Sequence, residues 1–250
     1  MLAILIFLGG CTTTGLPKGR NTVWHLVIMG DSSLWGVGNA FATKIEQGVG
    51  VQVEVSDFAL PAQSAEPVLE VLQTGRTSNF QLQELPAAVK DAEVVVMFFN
   101  PMGSVDPEKP LNINACLMSL PPSSCTPASF EMWTSDLKAI WAEIFKLRKG
   151  QPTILRAVDL DSPLISSWNR NNIFEACTEC WINMSNAARL AADAYNIPFL
   201  SRYDALNGIR HTEDPVEKGY IRNDGHLSEL GAEYVAELLS QMGYDPVIPP

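Results

Sequence analysis

The chain has 250 residues, 46% of them hydrophobic and 18% charged, which is enough apolar content for one well-buried α/β domain and too much for a disordered chain. Its net charge of −11 at pH 7 repels phosphate backbones and anionic headgroups, so nucleic acid is excluded as an expected partner and a membrane is reached only through an anchor. No internal repeat is visible.

The first ten residues, Met1 to Gly10, form an apolar run directly before Cys11. The run is too short to span a bilayer and has the length of a signal-peptide core. No Lys or Arg precedes it, so a translation start upstream of Met1 is expected. Leu8-Gly9-Gly10-Cys11 resembles a bacterial lipobox, which implies lipidation of Cys11 and a short tether through Thr12 to Gly15. Residues 1–20 are therefore expected to be leader and tether, and residues 21–250 one domain. Lipid on Cys11 would be its one membrane contact.

Thr22 to Met29 is a short apolar run ending at Gly30 and predicts a buried strand. Asn39 to Gln47 follows as a helix. Val51 to Val55 alternates and predicts a second strand, and Glu66 to Gln73 a second helix stopped by Gly75. Glu93 to Phe99 is the most apolar run of the mature chain and predicts a central strand. Pro101 to Pro127 holds six prolines without periodicity, and Cys116 and Cys125 are placed to staple it. Ser129 to Lys149 predicts a long helix capped by Ser129, with Trp133, Leu137, Ile140, Trp141 and Ile144 as its core stripe. Thr153 to Val158 is a fourth strand. Phe174 to Tyr195 is a helix containing Cys177 and Cys180, Ile197 to Leu200 a fifth strand, and Ser228 to Met242 a closing helix with Leu230, Tyr234, Leu238 and Leu239 inward. Strands alternating with helices imply a doubly wound, flavodoxin-like αβα sandwich on a five-stranded parallel sheet. Four cysteines beyond Cys11 suit an oxidising compartment. Local pairing, Cys116 with Cys125 and Cys177 with Cys180, is expected. A zinc site is the weaker alternative, because the spacing is not that of a zinc ribbon.

Two segments carry chemistry. In Gly30-Asp31-Ser32-Ser33 a hydroxyl sits where the first strand turns into the first helix, at the carboxyl edge of the sheet. There the helix N-terminus favours a developing oxyanion. In Asn223-Asp224-Gly225-His226 an imidazole precedes the closing helix, within reach of the same edge, and can take a serine proton. Ser33 is the alternative hydroxyl and His211 the substitute base. Asp159 and Asp161, ending strand four, either bind substrate or cap a turn. His25 reads as a satisfied core residue, and Trp35 and Phe99 as either cleft lining or core.

As a pair, the first and last segments resemble the SGNH/GDSL hydrolases, over nearly the whole mature chain. The resemblance implies Ser32 as nucleophile, His226 as base and no cofactor. It implies an oxyanion hole from the Ser32 N–H, a backbone N–H at Ala62 and the Asn100 side chain. Two blocks depart from the family pattern. Ala62 stands where a Gly is usual, a replacement a backbone donor tolerates if φ stays negative. Of the third block only Asn100 remains. In the last block the usual Asp lies three before the His. Here Asn223 holds that place and Asp224 lies two before His226. Asp224 is expected to orient the ring because a carboxylate stabilises imidazolium better than an amide; Asn223 in a weaker site is the alternative. The expected activity is hydrolysis of small-molecule or carbohydrate O-acyl esters by a monomer. Acyl transfer through the same residues and an inactive surface-tethered binding lipoprotein remain open. A flavodoxin-like cofactor binder fits less well, since the first turn lacks a phosphate-cradling loop.

Overall fold

The computed structural model describes residues 15–19, 21–101, 113–122 and 125–247. The expected leader with Cys11 and about half of the proline-rich segment lie outside the described residues.

Five parallel strands form one sheet in the order β2-β1-β3-β4-β5. They are β1 (Val23–Asp31), β2 (Gln52–Leu60), β3 (Val94–Phe98), β4 (Ile154–Val158) and β5 (Phe199–Leu200). All five residues of β3 and of β4 are buried, as befits central strands covered on both faces. β2 lies at the edge, and its first half alternates between exposed and half-buried residues.

The longer helices are α1 (Val37–Val49), α2 (Ala65–Thr74), α5 (Glu131–Arg148), α7 (Phe174–Asp193) and α9 (Glu229–Gln241). Four shorter ones are α3 (Leu85–Asp91), α4 (Ile113–Leu117), α6 (Ile165–Arg170) and α8 (Arg202–Asn207). α1 packs on α9, while α2, α3 and α7 pack on α5, so the sheet lies between two helical layers and the three-layer expectation holds. No helix among the described residues is long and apolar enough to cross a membrane.

Several local expectations are corrected. The inward face of α9 is Gly231, Ala232, Val235, Ala236 and Leu239, whereas Leu230 is exposed. Small residues win because α9 lies close to its neighbours: a Cβ on Gly231 would sit 2.0 Å from the Tyr220 carbonyl oxygen. The cap of α5 is Phe130, with Ser129 inside a preceding 3-10 turn. His25 is no core residue, since its side chain is 43% exposed between Glu54 and Glu93. Phe99 is core.

The cysteines pair across elements, Cys116 with Cys177 and Cys125 with Cys180, correcting the local pairing. Cys177 and Cys180 stand three apart on α7 and share one helical face. They therefore point together at the proline-rich segment instead of at each other. The Trp168 indole N–H donates to the Cys116 carbonyl at 2.9 Å, and the Asn183 amide to the Cys125 carbonyl at 2.6 Å. Side chains from α6 and α7 thus hold the same segment.

Candidate active site

The strand order reverses at β1 and β3, and the carboxyl ends of these strands carry the candidate residues. β1 and β3 approach closely at Gly30, where an added Cβ would lie 1.9 Å from the Phe98 carbonyl oxygen. Directly after it, the buried Asp31 accepts the Ser33 N–H at 2.9 Å and caps the 3-10 turn Ser32–Leu34. Asp31 is thereby a shaping residue of the turn that lifts Ser32 to the sheet rim. Burial pushes its carboxyl above the usual value, while hydrogen bonds from Ser33, the charge of Arg202 and a hydrogen bond with Asn100 pull the other way.

His226 arrives from the far end of the chain on a tight loop. The Gly225 N–H donates to the Arg222 carbonyl at 2.9 Å and the Arg222 N–H to the His226 carbonyl at 2.8 Å. Ser228 then caps α9 through the Gly231 N–H at 3.0 Å. This loop brings His226 Nε2 to 3.1 Å from Ser32 Oγ, within the reach proton transfer requires. Both residues are half-buried.

The orienting acid is less well placed. Asp224 Oδ1 lies 3.3 Å from His226 Nδ1. It stands off the direction of a ring N–H, and Nδ1 has no hydrogen-bond partner among the described residues. The same oxygen accepts the His226 backbone N–H at 3.1 Å, and Oδ2 pairs with Arg222 Nη2 at 3.0 Å. These contacts, the His226 N–H first, Arg222 after it and the His226 ring last, hold the Asp224 carboxyl below its usual range, so it stays ionised at neutral pH. Asn223 is exposed and makes no hydrogen bond to the ring among the described residues.

Trp35, three residues after Ser32, lies flat against the imidazole. The ring centroids are 4.7 Å apart and the planes differ by 15°. Its indole N–H donates to the Ala59 carbonyl at the end of β2, at 2.8 Å.

The remaining sequence candidates fall into place around this pair. Asn100 follows β3 and hydrogen-bonds Asp31 beneath the nucleophile turn. Ala62 is exposed with φ +55°. The negative-φ condition set for it is therefore not met. Ser33 faces Arg202, whose Nη1 lies 3.4 Å from its hydroxyl and 3.0 Å from its carbonyl. His211 is engaged elsewhere, 2.7 Å from Asp204 and stacked on Tyr203.

Asp159 and Asp161 serve the frame. Asp159 is fully buried and accepts from Ser185, Ser201 and the backbone N–H groups of Arg202 and Tyr203, which caps α8. Asp161 pairs with the buried Arg202. Arg202 is the functional neighbour that sequence reasoning missed. A lone Arg after a strand gives no signal of burial until its partner Asp161, forty-one residues earlier, is brought beside it.

A cavity of about 630 Å³ between α1 and α9 touches the site at Trp35 and Leu227 but does not include Ser32.

No protein-family model and no curated protein matches the chain. Solved structures do match. The lipase Lip_vut3 from a goat rumen metagenome is 18% identical, with a TM-score of 0.63 over 89% of this chain and 98% of that one. A variant of Axe2, an acetyl xylan esterase from Geobacillus stearothermophilus, is 12% identical, with a TM-score of 0.56 over 90% and 97%. The lipase/acylhydrolase from Enterococcus faecalis is 17% identical, with a TM-score of 0.53 over 88% and 95%. The chain has the SGNH/GDSL hydrolase fold.

Proposed function

We propose that this protein is a serine esterase that hydrolyses short-chain or carbohydrate O-acyl esters, with Ser32 as nucleophile and His226 as general base. The observation that carries the reading is the 3.1 Å approach of His226 Nε2 to Ser32 Oγ at the carboxyl edge of the sheet. The lipase and esterase neighbours and the acetyl xylan esterase among them support it.

Ser32 Oγ attacks the ester carbonyl as its proton passes to His226 Nε2. The oxyanion is received by the Ser32 N–H and the Asn100 amide, each such donor contributing about 10²–10³ in rate in well-formed sites. The tetrahedral adduct collapses, and His226 returns the proton to the leaving alkoxide. Water then attacks the acyl-serine, giving its proton to His226, and the carboxylic acid leaves as Ser32 Oγ is reprotonated. Asp224 is the nearest carboxylate to the ring and supports its charged form. No step draws on a cofactor.

Export with a lipid anchor on Cys11 completes the proposal. Residues 1–20 are the leader and tether, and residues 21–250 the catalytic unit. The two disulfides support an oxidising compartment outside the cytoplasm.

A fluorophosphonate probe tests the chemistry. Wild type is expected to be labelled and to release nitrophenol from p-nitrophenyl acetate, and Ser32→Ala to do neither. Folded wild type that resists the probe would instead favour a surface-tethered binding protein, the reading to which the misaligned Asp224 lends weight. An acyl group recovered on an added sugar would mark a transferase.

A further inference from the structure

The imidazole of His226 has an unusual set of supports. In a Ser-His-Asp site the base is normally held by a carboxylate that accepts its Nδ1 proton, fixing the tautomer and stabilising the imidazolium. Here, among the described residues, Nδ1 has only Asp224 Oδ1 at 3.3 Å, off the direction of a ring N–H. Asp224 is 56% exposed and already paired with Arg222 through Nη2–Oδ2 at 3.0 Å and Nε–Oδ1 at 3.3 Å. Solvent and a neighbouring guanidinium both dilute its field at the ring.

The face of the ring is held far better. Trp35 covers it in a nearly parallel stack. The indole is 37% exposed and is tethered by its N–H on the Ala59 carbonyl, and the Trp35 backbone N–H donates to the Ser32 carbonyl at 3.2 Å. The nucleophile and the plate under the base are therefore built on one turn. A stack fixes the plane of the imidazole, and the contact with Ser32 Oγ fixes its rotation within that plane. Two constraints that a buried Asp would supply through one hydrogen bond are thus divided between two neighbours. The π-face of an indole also attracts a cation lying over it, so it favours the imidazolium formed during catalysis.

We infer that Trp35 is the principal positioning residue for His226, holding the ring in plane and stabilising its protonated form in place of a well-aligned carboxylate. This rests on reading Ser32 and His226 as nucleophile and base. The charged groups around the ring are Asp224 and Arg222 on its own loop, with Asp31 and Arg202 beneath the Ser32 turn. The cavity beside Trp35 adds Lys44, Glu229 and Glu233.

The test compares Trp35→Leu, Trp35→Phe and Asp224→Asn in the full chain, with two readouts. The first is an NMR titration of the His226 ring protons without substrate. In wild type these protons should be shifted upfield by the indole ring current. In Trp35→Leu that shift should vanish and the midpoint should fall by about half a pH unit, because loss of the π-face disfavours the cation. The second is the pH profile of kcat/KM. Trp35→Leu should lose about tenfold, mostly in kcat, and its acid limb should move to lower pH. Trp35→Phe should recover part of both, and Asp224→Asn should cost less than Trp35→Leu in each. A His226 titration unchanged in Trp35→Leu, or displaced further by Asp224→Asn, overturns the inference. A wild type that turns over no ester sinks the hydrolase reading instead, and the titration alone still decides the role of Trp35.

Discussion

Arg202 lies under the nucleophile turn with its side chain 1% exposed and one nitrogen on Asp161, itself 2% exposed. A second nitrogen donates to the Ser33 carbonyl at 3.0 Å. Replacing Arg202 by Met strands the Asp161 carboxylate in the interior, and breaking a buried pair in this way costs about 3–5 kcal/mol. It also frees the Ser33 carbonyl, so Ser32 is held less firmly against His226. Displacement of a reacting group by about 1 Å costs up to roughly 10² in rate. The double variant Arg202→Met/Asp161→Leu separates the two effects. An apolar pair of similar volume should bring stability back to within about 1 kcal/mol of wild type, while kcat stays depressed because the Ser33 tether is still missing. Urea unfolding followed by tryptophan fluorescence gives the first quantity, and p-nitrophenyl acetate turnover the second. If the double variant recovers both, Arg202 is a pillar of the fold alone and the link to the nucleophile turn is wrong.

Two further outcomes are expected. Burial raises the Asp159 carboxyl from 3.8 to about 6, so its contribution to stability is complete below the unfolded value and is lost as pH rises through the folded one. Between pH 5 and 8 wild type should lose roughly 1–2 kcal/mol through this group that Asp159→Asn does not lose; identical pH slopes in urea titrations of the two proteins would refute it. Gly30→Ala places a methyl 1.9 Å from the Phe98 carbonyl oxygen and should destabilise by about 3 kcal/mol or prevent folding. A melting temperature near wild type would show that β1 and β3 can part there.

The fold was largely legible because its central strands are short apolar runs bounded by turn residues, as at Thr22 to Gly30 and Glu93 to Phe99. Ser32 and His226 were legible for a related reason: each sits on a local turn whose position relative to a strand or helix is written in adjacent residues. What depends on distant partners was not. The disulfide partners of Cys116 and Cys125 are 61 and 55 residues away, and nothing local distinguishes them from the cysteine nearby. The burial of Arg202 depends on Asp161, and the face of α9 on how near Tyr220 and α1 stand. Hydrophobicity chose Leu230 for the interior, whereas interhelical distance chose Ala232. The stack of Trp35 on His226 joins residues from opposite ends of the chain, and periodicity carries no trace of it. α3, α6 and α8, with seven, six and six residues, are too short for a hydrophobic stripe to emerge.

The hydroxyl and the imidazole that meet at the rim are separated by 194 residues, and the helices that follow them, α1 and α9, pack on each other. On the proposed mechanism, a chain still emerging from a ribosome or a translocation pore would have its nucleophile early and its base last of all. It would be inert toward esters until the final helix had docked. Turnover would then report completed folding, and a polypeptide truncated before residue 226 would lack the proposed proton acceptor for Ser32, however well its first strands had formed.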